Sequence, residues 1–399
     1  MAGLRLLWSD PALRVIAVLM MLFGAVVCTF GPYVSVLAVE VFGLGDRGFA
    51  ALLVTSTALS VAASVWVGIR ADQTAGRRSI ALVSCGLLAG GAGLMVLAPG
   101  AVAFVVAHGL VLPLASTLFG QLFAQGRIAA LAHPPAARDG IMASLRALFA
   151  LPFVAVLPLW ALAFGLGAEL LSIYPVCLGL AVLMLAMALR GWPADRGAAG
   201  ADAPSGLSFG AALAEIARPR LLGRLLALGA VNAGGTLYMA IVGLVLVPAV
   251  GSGASDVALY AGLVAGLEVP FMLALPQIMP HIARTRLILI GAAVYCIHVA
   301  GLPFLAGSPF VWLLILPAAA GGAVVLTIPI AYLQDLLADR PGTGASLMAL
   351  QRLTGDVLAA LCFAVGTAVS GYGTVAVLGA AVVLTGALAL HLADRPRRA

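Results

Sequence analysis

Lysine is absent from the chain, and charge of either sign is scarce. All 21 basic residues are arginine, the acids number 15, and charged residues make up 9% of 399 positions. A soluble domain carries about 25% charged residues, so an ordinary water-soluble fold is excluded. The 5 cysteines, Cys28, Cys85, Cys177, Cys296 and Cys362, stand singly inside apolar runs, which excludes a disulfide framework and a cysteine-based metal site. A phosphate-binding Gly-Lys-Ser/Thr loop is missing, so ATP is not the expected energy source. The 5 histidines are dispersed and no paired aspartates occur; neither an intramembrane enzyme nor a resident metal or cofactor is expected. The lone His108 and His298 are expected to be packed, satisfied side chains. No basic tract accompanies the net charge of +6, so nucleic acid is not an expected partner.

What the chain has instead is apolar length: 63% of it is hydrophobic. About 20 apolar residues cross a bilayer, and the breaks between runs predict twelve spans, near 14–41, 48–69, 79–98, 101–127, 140–165, 169–190, 221–249, 256–280, 286–305, 309–336, 344–369 and 374–392. The first uncharged run, Val15 to Val39, exceeds the roughly 7–15 residues of a signal-peptide core and has no small-residue cleavage site after it, so it is expected to be retained as a span. With cytoplasmic termini, 18 of the arginines fall in cytoplasmic segments or at their edges and only Arg47 lies outside. The positive-inside bias therefore predicts that both ends are cytoplasmic. Arginine in place of lysine, with abundant alanine and glycine, fits a GC-rich bacterial genome and hence a bacterial cytoplasmic (inner) membrane.

Two uncharged runs of equal length, Ser79 to Gly126 and Leu287 to Gln334, are displaced by 208 residues. Each divides at a Pro-containing turn, "APGA" (98–101) and "GSPF" (307–310), and Arg146 answers Arg352 at nearly the same displacement. The expected architecture is an all-α membrane protein with twelve transmembrane helices in two pseudo-symmetric six-helix bundles, 1–190 and 221–399. A cytoplasmic linker, 191–220, joins them, with a candidate helix at 209–220. Parallel six-span repeats are the design of the major facilitator fold, with a solute site near the bilayer midplane between the halves.

Several polar residues interrupt the apolar runs. Glu268 stands in "AGLEVP" (265–270), and an ionisable group at that depth usually faces a partner or a wet cavity. Arg352 and Asp356 are four residues apart and share one helix face. Counting about 1.5 Å per residue, Asp356 and Glu268 lie at similar heights, so one arginine is expected to serve two acids, as a proton-coupling cluster or as a paired structural one. In the first half, Arg146 on span five and Gln121 on span four are each about 10 Å above a cytoplasmic end. There they suit hydroxyl or carboxylate ligands, unless Arg146 only pairs with Asp139. "NAGGTLY" (232–238) places Asn232, Thr236 and Tyr238 among small residues that permit close helix packing or a broken helix. Tyr332, Gln334 and Asp335 end span ten as solute ligands or as a cytoplasmic gate, with the gate favoured for Asp335.

"GIRADQTAGRRS" (68–79) resembles the signature of the major facilitator superfamily through Gly68, Asp72, Gly76, Arg77 and Arg78, with Gln73 replacing the usual basic residue. The resemblance implies a conformational gate in which this loop meets the start of span eleven. "GPYVSVLAVEV" (31–41), "QLFAQGR" (121–127), "ASLRA" (143–147), "TLY" (236–238), "AGLEVP" and "YLQDL" (332–336) are similar, in order, to the sugar efflux transporter family of that superfamily. Departures are Gly235, where an asparagine is expected, and the loss of polar residues around Met348 to Leu350. The likeness implies a monomeric secondary transporter that exports small sugars or analogues in exchange for protons. It points to Gln121, Arg146, Glu268, Gln334, Asp335 and Arg352 as matching positions; together with the polar residues read above, Gln121, Arg146, Asn232, Tyr238, Tyr332 and Gln334 are the expected solute ligands and Glu268, Arg352 and Asp356 the expected proton-coupling group. Because polar candidates are few, export of drugs or other amphiphiles is the alternative.

Overall fold

The computed structural model describes residues 2–74, 77–193, 219–249, 253–336 and 341–394. The linker and its suggested helix lie largely outside the described residues. After a short helix, Ala2–Ser9, come twelve helical segments: α1 Pro11–Phe30, α2 Gly45–Thr74, α3 Arg77–Leu97, α4 from Ala101 to Ala130, α5 Pro135–Gly165 and α6 Ile173–Gly191, then α7 Pro219–Leu246, α8 Ala254–Ile278, α9 Arg284–Leu305, α10 Ile315–Leu336, α11 Pro341–Val369 and α12 Tyr372–Ala393. Twelve helices are long and apolar enough to cross a membrane. Among the described residues there is no strand. α4 is broken by a π turn at Ala107–Val111, directly ahead of Pro113; proline lacks an N–H and clashes with the preceding turn, so the ladder widens there.

The chain divides into two compact units, Met1–Gly31 with Ala58–Gly206, and Pro32–Thr57 with Leu207–Ala399. In the first, α1 packs on α5 and α6, and α3 on α4 and α6. In the second, α7 packs on α11 and α12, and α9 on α10 and α12. The same neighbours recur six helices later, as the displaced uncharged runs lead one to expect.

The first unit is tied by rings and hydroxyls. Phe119 meets Phe149 edge-on at 4.9 Å and Phe23 in a tilted contact at 6.3 Å between ring centroids. Trp160 Nε1 donates to Thr29 Oγ1 at 3.0 Å, and the hydroxyls of Ser84 and Thr117 are 2.9 Å apart. The second unit includes the chain around residues 32–57: Tyr33 donates to the Ala254 carbonyl at 3.0 Å, Tyr372 donates to Asp46 Oδ1 at 2.9 Å, and Phe49 meets Phe363 edge-on at 5.2 Å.

Asp10 caps α1, accepting from the backbone N–H groups of Ala12 (2.8 Å) and Leu13 (3.3 Å) and lying 3.0 Å from His133 Nε2. Partial burial pushes its carboxyl up, but the Leu13 N–H, the His133 ring and the Ala12 N–H outweigh this and hold it below the ordinary 3.8. A depressed folded value means that the stabilisation is complete well above 3.8 and is lost as pH falls through the lower folded value. Asp10→Ala is expected to cost about 0.5–2 kcal/mol at neutral pH, with the difference shrinking below pH 4, read by thermal unfolding in detergent.

α7 and α11 approach closely because Gly355 has no side chain. A Cβ there would lie 2.8 Å from both Asn232 Nδ2 and the Gly229 carbonyl. Gly355→Ala should therefore destabilise by about 1–3 kcal/mol, visible as a fall in unfolding temperature; an unchanged temperature would contradict the close approach.

Candidate functional site

The close contact of α7 and α11 determines what sits beside Asp356. Thr236 Oγ1 of α7 donates to Asp356 Oδ1 at 2.7 Å, and Arg352 Nε lies 3.8 Å from Asp356 Oδ2. The Arg352 side chain is 72% exposed and that of Asp356 18%. Asp356 thus has a hydroxyl on one oxygen and a loose ion pair on the other. Arg352 stands beside Gln351, where the apolar part of α11 begins, which lets its guanidinium reach water.

Glu268 is arranged differently. Its carboxylate lies over Gly322 of α10, where an added Cβ would collide with Oε1, and Tyr295 Cε2 of α9 is 3.5 Å from the same Cβ position. Among the described residues no ion pair or hydrogen bond reaches Glu268. The expectation that Arg352 serves both acids is corrected here: it pairs with Asp356, while Glu268 is seated between helices on a glycine. Both acids lie inside the apolar spans of their helices, Ala254–Leu275 and Gln351–Val369.

The other sequence candidates fall as follows. Asn232 is half-buried against Gly355, and the buried Tyr238 hydroxyl has no hydrogen-bond partner among the described residues. Tyr332 donates to Asp394 Oδ2 at 2.7 Å, and Arg224 Nη2 lies 2.6 Å from Asp394 Oδ1; its hydroxyl joins the ends of α7, α10 and α12. In the first unit, Gln121 is buried with Oε1 lacking a hydrogen bond among the described residues, and so is Gln125 one turn on. Arg146 of α5 is exposed. Arg77 is buried at the start of α3, and Arg78 donates to the Leu189 carbonyl of α6 at 2.9 Å. Gly76 lies outside the described residues, as do the side chains of Asp72, Gln334, Asp335 and Asp139 and the surroundings of Gly68.

Four further residues belong to this region. Thr236 was legible as a polar group among small residues, and Gly322 sits in the "AAAGGAVV" run (318–325), a signal of close packing. Tyr260 and Tyr295 had no distinguishing sequence context. His108 matches the expected packed histidine, 3.0 Å from the Tyr174 hydroxyl and stacked on Phe104. His298 matches it only in part. Its Nδ1 is 3.1 Å from the Tyr260 hydroxyl, but its buried Nε2 has no partner among the described residues.

No cluster of histidine, cysteine and acidic residues able to hold a metal occurs among the described residues. The five cysteines are free and buried.

If Glu268 is seated on Gly322, adding one methyl should be felt through that carboxylate. Gly322→Ala is expected to cost about 1–3 kcal/mol in the native background and much less beside Glu268→Ala. Equal costs in both backgrounds, measured by unfolding in detergent, would exclude this seating.

Comparison with known proteins agrees with the architecture. No protein-family model matches the chain. A curated protein of Deinococcus radiodurans described as "Putative sugar efflux transporter" is 27% identical over 398 residues, covering 95% of this chain and 97% of that protein. Among solved structures, a nucleoside transporter has TM-score 0.76 at 13% identity, covering 95% of this chain and 100% of its own. A D-xylose–proton symporter has TM-score 0.71 at 16% identity, covering 94% and 95%. A peptide transporter has TM-score 0.71 at 15%, covering 95% and 93%. The chain is a multi-pass membrane protein with the major facilitator fold, and its sequence is similar to that of a protein described as a putative sugar efflux transporter.

Proposed function

We propose that the chain is a secondary transporter that exports small sugars or sugar-like solutes by alternating access, in exchange for protons, with Glu268 as the group that takes and releases the proton. The observation that carries this reading is the contrast between the two acids. Asp356 is engaged by Thr236 and Arg352, whereas Glu268 has no cation or hydrogen-bond donor beside it among the described residues. An acid in that position changes protonation state without breaking an ion pair. The change alters its fit to the surrounding helices, and a coupling group needs both properties.

Sugars require amides, hydroxyls and aromatic faces. The described residues offer the orphaned Gln121 and Gln125 amides, Asn232, and the Tyr238 hydroxyl, and the similarity to a sugar efflux protein supports the same class. The arginine distribution supports a bacterial inner-membrane location with both termini in the cytoplasm. Protons, solute and lipid are the proposed partners, and the working unit is proposed to be a monomer.

A second reading, export of amphiphilic drugs, draws on the ring-rich interior of the second unit, where Tyr238, Tyr260 and Tyr295 pack around His298 and Trp312 packs on Tyr260. A panel of radiolabelled mono- and disaccharides and cationic dyes in proteoliposomes separates the two readings. An imposed pH gradient should move at least one sugar several-fold faster than the gradient-free control. Movement of dyes alone would favour the drug reading, and movement of neither would sink both.

A further inference from the structure

Along α8 the polar residues Asp256, Tyr260 and Glu268 follow one row of residues spaced by four, interrupted by Val264. Asp256 is in the first turn of the helix, where its carboxylate accepts from the Gly253 N–H at 3.1 Å. Tyr260 and Glu268 are eight residues apart, about 12 Å along the axis, too far for direct contact. The apolar gap is bridged from α9. The Tyr260 hydroxyl is 3.1 Å from His298 Nδ1, and the His298 and Tyr295 rings are 5.5 Å apart on one face. Tyr295 then reaches the Gly322 position on which Glu268 rests. Measured from the helix ends at Ala254 and Leu305, Tyr260 and His298 lie about 9–10 Å inside, Tyr295 about 15 Å and Glu268 about 21 Å. The series descends in order from one end of the bundle to the acid.

His298 has no exposed surface, yet Nε2 lacks a partner among the described residues. The Tyr238 hydroxyl, on a ring 4.8 Å from His298 and nearly perpendicular to it, is orphaned too. Buried polar atoms are nearly always paired, and a ring kept only for packing needs no nitrogen. An orphaned imidazole nitrogen and an orphaned hydroxyl on an adjoining ring therefore point to a role that uses exchangeable protons.

We propose that Tyr260, His298 and Tyr295 form a proton line between the Ala254 end of the second unit and Glu268. This rests on the reading of Glu268 as the coupling group. An imidazole accepts a proton at one ring nitrogen and releases one from the other. In the inward direction, Tyr260 passes its hydroxyl proton to Nδ1 and regains one from the Ala254 side. His298 releases the Nε2 proton toward the Tyr295 hydroxyl, which passes its own on, and the Glu268 carboxylate becomes the acid. Each O–H or N–H bond broken is replaced by one formed, and no other reactant is needed. The titratable side chains against His298 are Tyr238 from α7, Tyr260 from α8 and Tyr295 on its own helix, with Glu268 beyond Tyr295. The facing stretches of α10 (315–331), of the turn 309–314 and of α12 (373–390) contain no titratable residue. Glu268 is therefore the one carboxylate on the line below Tyr260.

The test uses the full chain in lipid nanodiscs and follows the infrared carboxylic-acid band after a rapid pH drop, with the Glu268 contribution assigned by its loss in Glu268→Gln. His298→Gln and Tyr260→Phe should each slow the appearance of that band at least tenfold while leaving its amplitude and pH midpoint unchanged. If His298→Gln does not fold, Tyr260→Phe decides alone. A wild-type rate in the folded variants overturns the line and leaves the Glu268 reading standing. Slowing accompanied by a lost amplitude or a moved midpoint indicates a structural role and also overturns it. Absence of any band that depends on Glu268 removes both the line and the coupling reading.

Discussion

The polar interior of the second unit depends on two close approaches of helices that only glycine permits. At Gly355 the backbone of α11 comes against Asn232 and Gly229 of α7, which brings Thr236 within hydrogen-bond distance of Asp356. At Gly322 the missing side chain leaves the place that the Glu268 carboxylate occupies. In a membrane interior, where water is not at hand to satisfy polar groups, such geometry decides which acid is paired and which stands alone. Without either glycine, the contrast between the two carboxylates has no structural basis.

The two units solve the problem of polar groups in an apolar setting differently. The first has no acid matching Glu268 in its described apolar interior and keeps neutral groups there: Gln121, Gln125, Thr29 with Trp160, and His108 with Tyr174. Apart from Arg146 inside α5, its described charges include the Asp10–His133 pair and Arg78 on the Leu189 carbonyl, both at helix ends. The second unit adds Glu268 and Asp356 at mid-helix and, toward one end, the Arg224–Asp394–Tyr332 cluster. The proposed proton chemistry of the second unit follows from that division, while the proposed solute groups, Gln121 and Gln125 in the first unit and Asn232 and Tyr238 in the second, draw on both.

Much of this was legible in the sequence, because the bilayer imposes length and charge rules on every span. Twelve apolar runs predicted twelve helices, and equal uncharged runs displaced by 208 residues anticipated neighbours that recur six helices later. Spacing by four correctly put Arg352 with Asp356. Counting residues also put Glu268 and Asp356 at one level, but height along an axis says nothing of azimuth. Whether Arg352 also reached Glu268 depended on how α8, α10 and α11 are rotated, and that is set by packing at Gly322. For the same reason residue counting could not foresee that Gln121 is buried while Arg146 is exposed. The roles of Tyr260 and Tyr295 were invisible because an aromatic residue in an apolar span carries no local mark of its tertiary neighbour.

The account turns on Glu268 rather than Asp356 being the coupling acid, and the most direct measurement compares the two in proteoliposomes, using a sugar that the wild-type protein moves. Glu268→Gln should abolish flux driven by a pH gradient while retaining gradient-free exchange of labelled for unlabelled sugar, and Asp356→Asn should retain gradient-driven flux. The opposite pattern, with driven flux surviving in Glu268→Gln and lost in Asp356→Asn, would contradict the account.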